Sequence, residues 1–263
     1  MTQLKWGAPG ERQYEDGVDR GVLYVDDVGY VWNGLVSVSE SPTGGEHNAN
    51  YLDGIKYSAT MTAEEYEATI TAISSPQAFD ACDGTKSLYQ GLFATQQRRK
   101  EFGFSYRTMI NNDLTEDAGY KLHIVYNALA AAADRNRNTR NSDGNLSPFS
   151  WYIQAVPPAS YGYGYKPTAH FVVDSRFTPG DILTQLEGLL YGTDATEAQL
   201  PSQLDILNLF EAFATVQVTD NGDGTYTINA PDDILVDNGD GTWTIDYASV
   251  IQIDPNTYAI SSL

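Results

Sequence analysis

Asp220-Asn221-Gly222-Asp223-Gly224-Thr225-Tyr226-Thr227-Ile228 returns seventeen residues later as Asp237-Asn238-Gly239-Asp240-Gly241-Thr242-Trp243-Thr244-Ile245. Carboxylate and amide oxygens in a glycine-permitted turn are hard-ligand chemistry, and calcium is the ion they suit. An EF-hand loop, however, needs oxygen donors at alternate positions and a closing bidentate Glu. Gly222 and Gly239 occupy the third position here. The same residues also make tight hairpin turns, since Asn-Gly and Asp-Gly supply positive φ, and Thr-aromatic-Thr-Ile continues as a half-buried strand. Val216-Gln217-Val218 is the partner strand of the first copy. The hairpin is the preferred reading, and a loosely held cation at the turns stays open.

Other reactive side chains are sparse. His47, His123 and His170 are far apart in the chain, and the last two sit inside strand-like runs, which reads as satisfied core or sheet histidines. Cys82 is the single cysteine, so there is no disulfide framework or paired-thiol metal motif. It reads as a small buried or half-buried apolar residue. No phosphate-binding glycine loop, zinc-protease helix, nucleophile elbow or paired-cysteine pattern occurs. Two of the 35 acidic residues converging as a hydrolase pair is a base-rate possibility with no positive signal. The expectation is a non-enzyme, with no catalytic, cofactor-binding or metal-ligating residue assigned and no cofactor.

Charge is strongly polarised. The formal net charge is −20, and residues 177–263 carry 14 acidic side chains and no Lys, Arg or His. Nucleic-acid affinity draws on cations that neutralise phosphates and release counterions, so this third of the chain repels DNA. Arg98-Arg99-Lys100 and the set Arg135, Arg137, Arg140 form the basic clusters, both outside the acidic third. Basic clusters on one copy meeting the acidic surface of the next would favour head-to-tail association.

The elements that must carry these residues are mostly strands. Gly21 to Val25, Tyr30 to Val38, Phe102 to Tyr106, Tyr120 to Tyr126, Ser150 to Val156 and Ala169 to Asp174 are short apolar runs punctuated by Gly, Pro, Asn and Asp. Thr62 to Ile70 opens like a short helix, with Thr62 as N-cap and Glu65 as its box partner, although Thr69 to Ile73 suits a strand equally. Ile182, Leu183, Leu186, Leu189 and Leu190 share a helix face that Gly192 can end, and Ser202 to Glu211 makes a second helix behind Pro201. Ala128 to Ser147 reads as a long exposed loop, rich in Asn, Asp and Gly at its end.

The expected fold is therefore mainly β, a β-sandwich or barrel with a few short helices and a small C-terminal β-hairpin region. Its divisions are residues 1–176 for the main β-region, 177–212 for a helical pair completing it, and 213–263 for the acidic hairpin region. At 263 residues, with 41% hydrophobic residues, the chain can bury a core. The N-terminus lacks the basic-then-apolar order of a signal peptide, and no apolar run approaches a membrane span, so a soluble protein made in the cytoplasm is expected.

Trp6-Gly7, Tyr14 to Tyr24, Trp32-Asn33-Gly34-Leu35 and Ser41-Pro42-Thr43-Gly44-Gly45-Glu46 resemble tail proteins of long-tailed phages that infect actinobacteria. Cys82-Asp83-Gly84, Phe102 to Thr108, Tyr120 to His123, Lys166 to His170 and Leu190 to Thr193 resemble further segments of that family in the same order, and the Asn-Gly-Asp-Gly-Thr-aromatic repeats extend the likeness to the C-terminal region. None of these is a catalytic signature.

The resemblance implies a tail-tube-like fold and a virion structural role, as the major tail protein of a siphophage tail, assembled in the host cytoplasm. Such subunits form homo-hexameric rings that stack around a DNA-conducting channel, with the tape measure and tail terminator proteins as further partners and no membrane contact. Genomic DNA would pass without specific binding. The alternative is a distal tail, baseplate or minor tail protein at the tip, where Tyr161-Gly162-Tyr163-Gly164-Tyr165 would contact host-surface carbohydrate. The sequence leaves open whether the acidic third faces inward or outward.

Overall fold

A computed structural model describes residues 6–7, 9–115, 118–132, 135–137, 139, 146–159, 166–220, 226–229, 235–237, 243–245, 250–254 and 257–260, with side chains up to residue 211. The chain is mainly β. It divides into two compact units, residues 1–177 with 189–200, and residues 178–188 with 201–263. The boundary falls inside residues 177–212, the segment expected to complete the main β-region as a helical pair.

The first unit contains β1 (Tyr14–Val25), β2 (Val28–Val31), β3 (Leu35–Glu40), β4 (Thr43–Gly44), β5 (His47–Leu52), β6 (Ile55–Met61), β7 (Glu64–Ala72), β8 (Lys86–Tyr89), β9 (Leu92–Ala94), β10 (Phe102–Asn111), β11 (Gly119–Ala130), β12 (Phe149–Ala155) and β13 (His170–Asp174). The main sheet runs β2-β1-β10-β11-β12-β7-β3, with β13 also on β11 and β4 also on β7. All these pairs are antiparallel. Strand β11 is the pivot. Lys121 to Val125 pair with β13, whereas Ala128 to Ala130 pair with β12, and Asn127 between them has a left-handed φ of 48°. One long strand thereby serves two neighbours along the same edge. The Trp32 N–H extends the β1–β2 pairing by donating to the Gly21 carbonyl at 2.8 Å, and β3 also approaches β1, since a Cβ on Gly21 would clash with Leu35 Cδ1.

Trp32 is the hub of the core. Its ring lies 4.7 Å from Phe79, 5.4 Å from Phe104 and 5.6 Å from Trp151, and its Nε1–H donates to the Ser74 carbonyl at 2.8 Å. Burying the large ring while its one polar atom finds a partner is the arrangement that makes a core Trp stabilising. Residues 189–200 belong to this unit through specific bonds. Tyr24 donates to the Leu190 carbonyl at 2.9 Å, and the Gly29 N–H donates to the Ala198 carbonyl at 2.9 Å.

Two local expectations are corrected. Residues Glu64–Ala72 form a strand, not the start of a helix. Ala68, Ile70 and Ala72 are buried at alternate positions, and the strand is hydrogen-bonded on both sides, to β12 and β3. Two ladders outweigh a local capping pattern, and the Thr62 hydroxyl instead accepts from the Glu46 N–H at 2.9 Å. Ala128 to Ala130 belong to β11 and are not loop, with Ala128 and Ala130 buried. The run Tyr30 to Val38 is two strands divided at Asn33-Gly34.

The second unit begins within α1 (Gly180–Tyr191), continues with α2 (Gln203–Ala214), and contains β14 (Thr215–Asp220), β15 (Tyr226–Asn229), β16 (Leu235–Asp237), β17 (Trp243–Ile245), β18 (Val250–Asp254) and β19 (Thr257–Ile260). Ile182, Leu186 and Leu190 are the buried positions of α1, and Gly192 ends it with a φ of 80°. At α2 the Ser202 hydroxyl accepts from the Asp205 N–H at 3.1 Å while the Asp205 carboxylate accepts from the Ser202 N–H at 3.0 Å, a reciprocal cap. Strands β15-β14-β19-β18 form one sheet. Both repeat copies are hairpins, with Asp220 opposite Tyr226 and Asp237 opposite Trp243. The turns themselves, and with them the calcium question, lie outside the described residues.

Candidate assembly surface

Strands β5 and β6 form a hairpin that hydrogen-bonds to no third strand among the described residues. Its tip is Asp53-Gly54, with φ values of 52° and 76°, between the facing pair Leu52 and Ile55. Two positive φ angles in a two-residue loop define a type I′ turn, whose twist matches that of the strands. At the base, the Thr62 N–H donates to the Glu46 carbonyl at 3.1 Å. Tyr51, Leu52, Ile55, Tyr57 and Met61 are all exposed, Tyr57 at 71%. Residues 47–61 contain one Asp and one Lys, so in a chain of charge −20 this arm is apolar and near neutral.

A second hairpin, β8–β9, repeats the pattern on a smaller scale. Tyr89 faces Leu92 across its turn, and Leu88, Tyr89, Leu92 and Phe93 are exposed, Tyr89 at 75%. An isolated two-stranded hairpin is at best marginally stable in water, and clustered exposed apolar side chains mark surfaces that associate. Neither hairpin was among the expected strands. The signal was present in Tyr51-Leu52-Asp53-Gly54-Ile55, an Asp-Gly between apolar residues.

The two basic clusters meet inside the subunit. Arg99 and Arg135 both pair with Asp83, and Arg99 also donates to the carbonyls of Ala130 and Ala131 at 3.0 and 2.9 Å. Lys100 pairs with Asp26. Arg99, Lys100 and Arg135 are thus engaged at home, the last two from exposed positions; Arg98 and Arg137 are exposed as well, and Arg140 lies outside the described residues.

His123 and His170, 47 positions apart in the chain, lie side by side. In the β11–β13 register His123 faces Val172, which puts His170 two residues along on the same face. His123 Nδ1 and His170 Nε2 are 3.1 Å apart. The Thr108 hydroxyl donates to Glu15 Oε1 at 2.5 Å, so its 3.1 Å contact with His123 Nε2 is a bond donated by the imidazole. His123 then carries its proton on Nε2 and accepts at Nδ1 from His170. Burial lowers both imidazoles, His170 to about 4 despite the nearby Glu40, so the pair is neutral at neutral pH. Burial would raise the Glu15 carboxyl, but hydrogen bonds from Lys121 and Thr108 outweigh it and hold it low. His47 is elsewhere, exposed on β5.

Cys82 is fully buried, and burial pushes its thiol up to about 11. The Tyr161 to Tyr165 loop lies outside the described residues. Among the described residues no helix is long and apolar enough to cross a membrane. Neither a scan against protein-family models nor a search of the curated proteins finds a match for this chain.

Proposed function

We propose that the chain is a virion structural protein, the major tail tube subunit of a long-tailed phage, which self-assembles into stacked hexameric rings around a DNA-conducting channel. The observation that carries this reading is the near-neutral β5–β6 arm with its exposed apolar side chains, which hydrogen-bonds to no third strand among the described residues of a strongly acidic chain. Such an arm gains most by lying against another subunit, where its Tyr, Leu, Ile and Met side chains leave water. Contact between unlike surfaces is heterologous, and it closes into a ring or continues as a stack. The resemblance to actinobacteriophage tail proteins supplies the identity of that assembly. Tape measure and tail terminator proteins are the further partners it implies. A net charge of −20 suits a conduit that DNA must traverse without sticking.

Negative-stain microscopy and mass photometry across a concentration series test the reading. Rings or tubes with a central channel are expected from the intact chain, and monomers from a variant with residues 47–61 replaced by a short Gly-Ser linker. An intact chain that stays monomeric at all concentrations overturns the proposal. A single closed ring that never stacks replaces the tube subunit with a tail-tip component.

A further inference from the structure

We infer that Glu40, His123 and His170 form a binding site for a zinc-class divalent ion within the first unit. The three donor atoms, His123 Nδ1, His170 Nε2 and Glu40 Oε1, make a triangle with edges of 3.1, 3.6 and 3.9 Å. Bonds of 2.0–2.1 Å in a tetrahedral site separate neighbouring ligands by roughly 3.3–3.4 Å, and a point near the centre of this triangle lies about 2.1 Å from all three atoms. The side chains therefore need only small adjustments to accept an ion.

The donor set has a matching chemistry. Two neutral imidazoles and one carboxylate suit zinc and its first-row neighbours, whereas calcium and magnesium prefer all-oxygen shells. His123 already presents the correct tautomer, its Nε2–H donated to Thr108 and its Nδ1 lone pair turned toward the other two donors. Thr108 in turn donates to Glu15, which Lys121 also holds. This is the outer support that orients a ligating histidine, here relayed through a hydroxyl. Glu40 is oriented as well, since Tyr106 donates to its Oε1 at 2.5 Å and leaves a second lone pair on that oxygen. Ion entry moves the single proton of His170 from Nε2 to Nδ1 and needs no other change of protonation.

The site is reachable and it joins distant elements. Glu40 is exposed at the end of β3, whereas His123 is buried on β11 and His170 is half-buried on β13. In the sheet order β3 is the last strand and β11 lies three strands away, so an ion here ties together two strands that do not pair. Binding to the folded chain alone stabilises it by mass action.

The test uses the full-length protein stripped with a chelator, then titrated with Zn²⁺ by calorimetry and with Co²⁺ by visible absorption. One Zn²⁺ per chain, the intense d–d bands of four-coordinate cobalt, and a rise in Tm on zinc addition are expected. Glu40→Gln is a surface change that retains an acceptor for Tyr106, and it should weaken zinc by at least roughly tenfold. His170→Gln should abolish the cobalt bands. Circular dichroism verifies that each variant is folded, and the readouts do not depend on ring assembly. Absence of saturable zinc binding by the folded wild-type chain overturns the inference. So does unchanged affinity in folded Glu40→Gln, which would place the ion at His47 or the C-terminal carboxylates, or calcium competing as an equal.

Discussion

Tyr106 and His123 are register partners across β10 and β11, and their rings lie parallel, 4.5 Å between centroids and 4° between planes. The stack aligns both side chains with Glu40, one by a hydroxyl bond and one by its Nδ1 edge. A sheet neighbour thus becomes the support of a three-strand polar cluster.

Removing that hydroxyl tests the support. Tyr106→Phe keeps the stack but leaves Glu40 to water, and because Glu40 is exposed the loss should be about 1 kcal/mol. Urea unfolding of the two proteins measures it, and an unchanged midpoint would show that water replaces the bond fully.

The core depends on one ring far more than on any polar pair. Trp32→Ala removes contacts with Phe79, Phe104 and Trp151 and strands the Ser74 carbonyl. A cost of about 4 kcal/mol is expected, read as a shift in the denaturation midpoint at unchanged slope.

Gly54→Ala separates folding from assembly. The position has open space around it but a φ of 76°, so a Cβ adds backbone strain of about 1 kcal/mol and no clash. Because β5–β6 is a local two-stranded sheet, that strain should loosen the arm without moving the global unfolding midpoint appreciably. Under the proposed function, the concentration needed for assembly should rise, which sedimentation would detect. Equal assembly with a loosened arm would count against the arm as the contact.

Asp174 gives an acid-side signature. Hydrogen bonds from the Arg176 guanidinium hold its carboxyl below the usual range, outweighing the opposing effect of burial. A depressed folded-state value contributes stability that is present above the unfolded value near 4 and is lost as pH falls through the folded value. The Tm difference between wild type and Asp174→Asn should therefore be largest near neutrality and shrink on acidification below about pH 4. A difference independent of pH would assign the effect to packing.

Cys82 reports on opening of the first unit. Its thiol is fully buried and raised to about 11, so a thiol reagent at neutral pH should label it slowly in the native protein and at once in denaturant. Fast native labelling would mean that the core around Phe79 opens readily.

Local chemistry in the sequence carried much of the architecture. Val22, Leu23 and Tyr24, Phe104, Ile124 and Val125, and Trp151 and Ile153 lie in strands because their apolar runs are bounded by turn residues. The α1 stripe stops at Gly192, whose positive φ suits glycine, and Asp220 and Asp237 pair with Tyr226 and Trp243 because each copy carries its own Asn-Gly-Asp-Gly sequence and the strand that follows. These features depend on neighbours a few residues away, so reading the chain in order finds them.

What the tertiary structure alone decided involves partners far along the chain. Thr62 to Ile70 carried a helix cap in its own residues, and only the ladders to β12 and β3 made the segment a strand. Arg99 and Arg135 looked available for a neighbouring copy until Asp83 came between them. Histidines 47 residues apart, and a glutamate more than eighty residues before the first, converge because β11 takes β13 on one half of an edge and the sheet brings β3 back over it. Periodicity fixes which face a side chain occupies. Which strands share that face is set by long-range pairing, whose free energy belongs to the folded sheet and to no single segment.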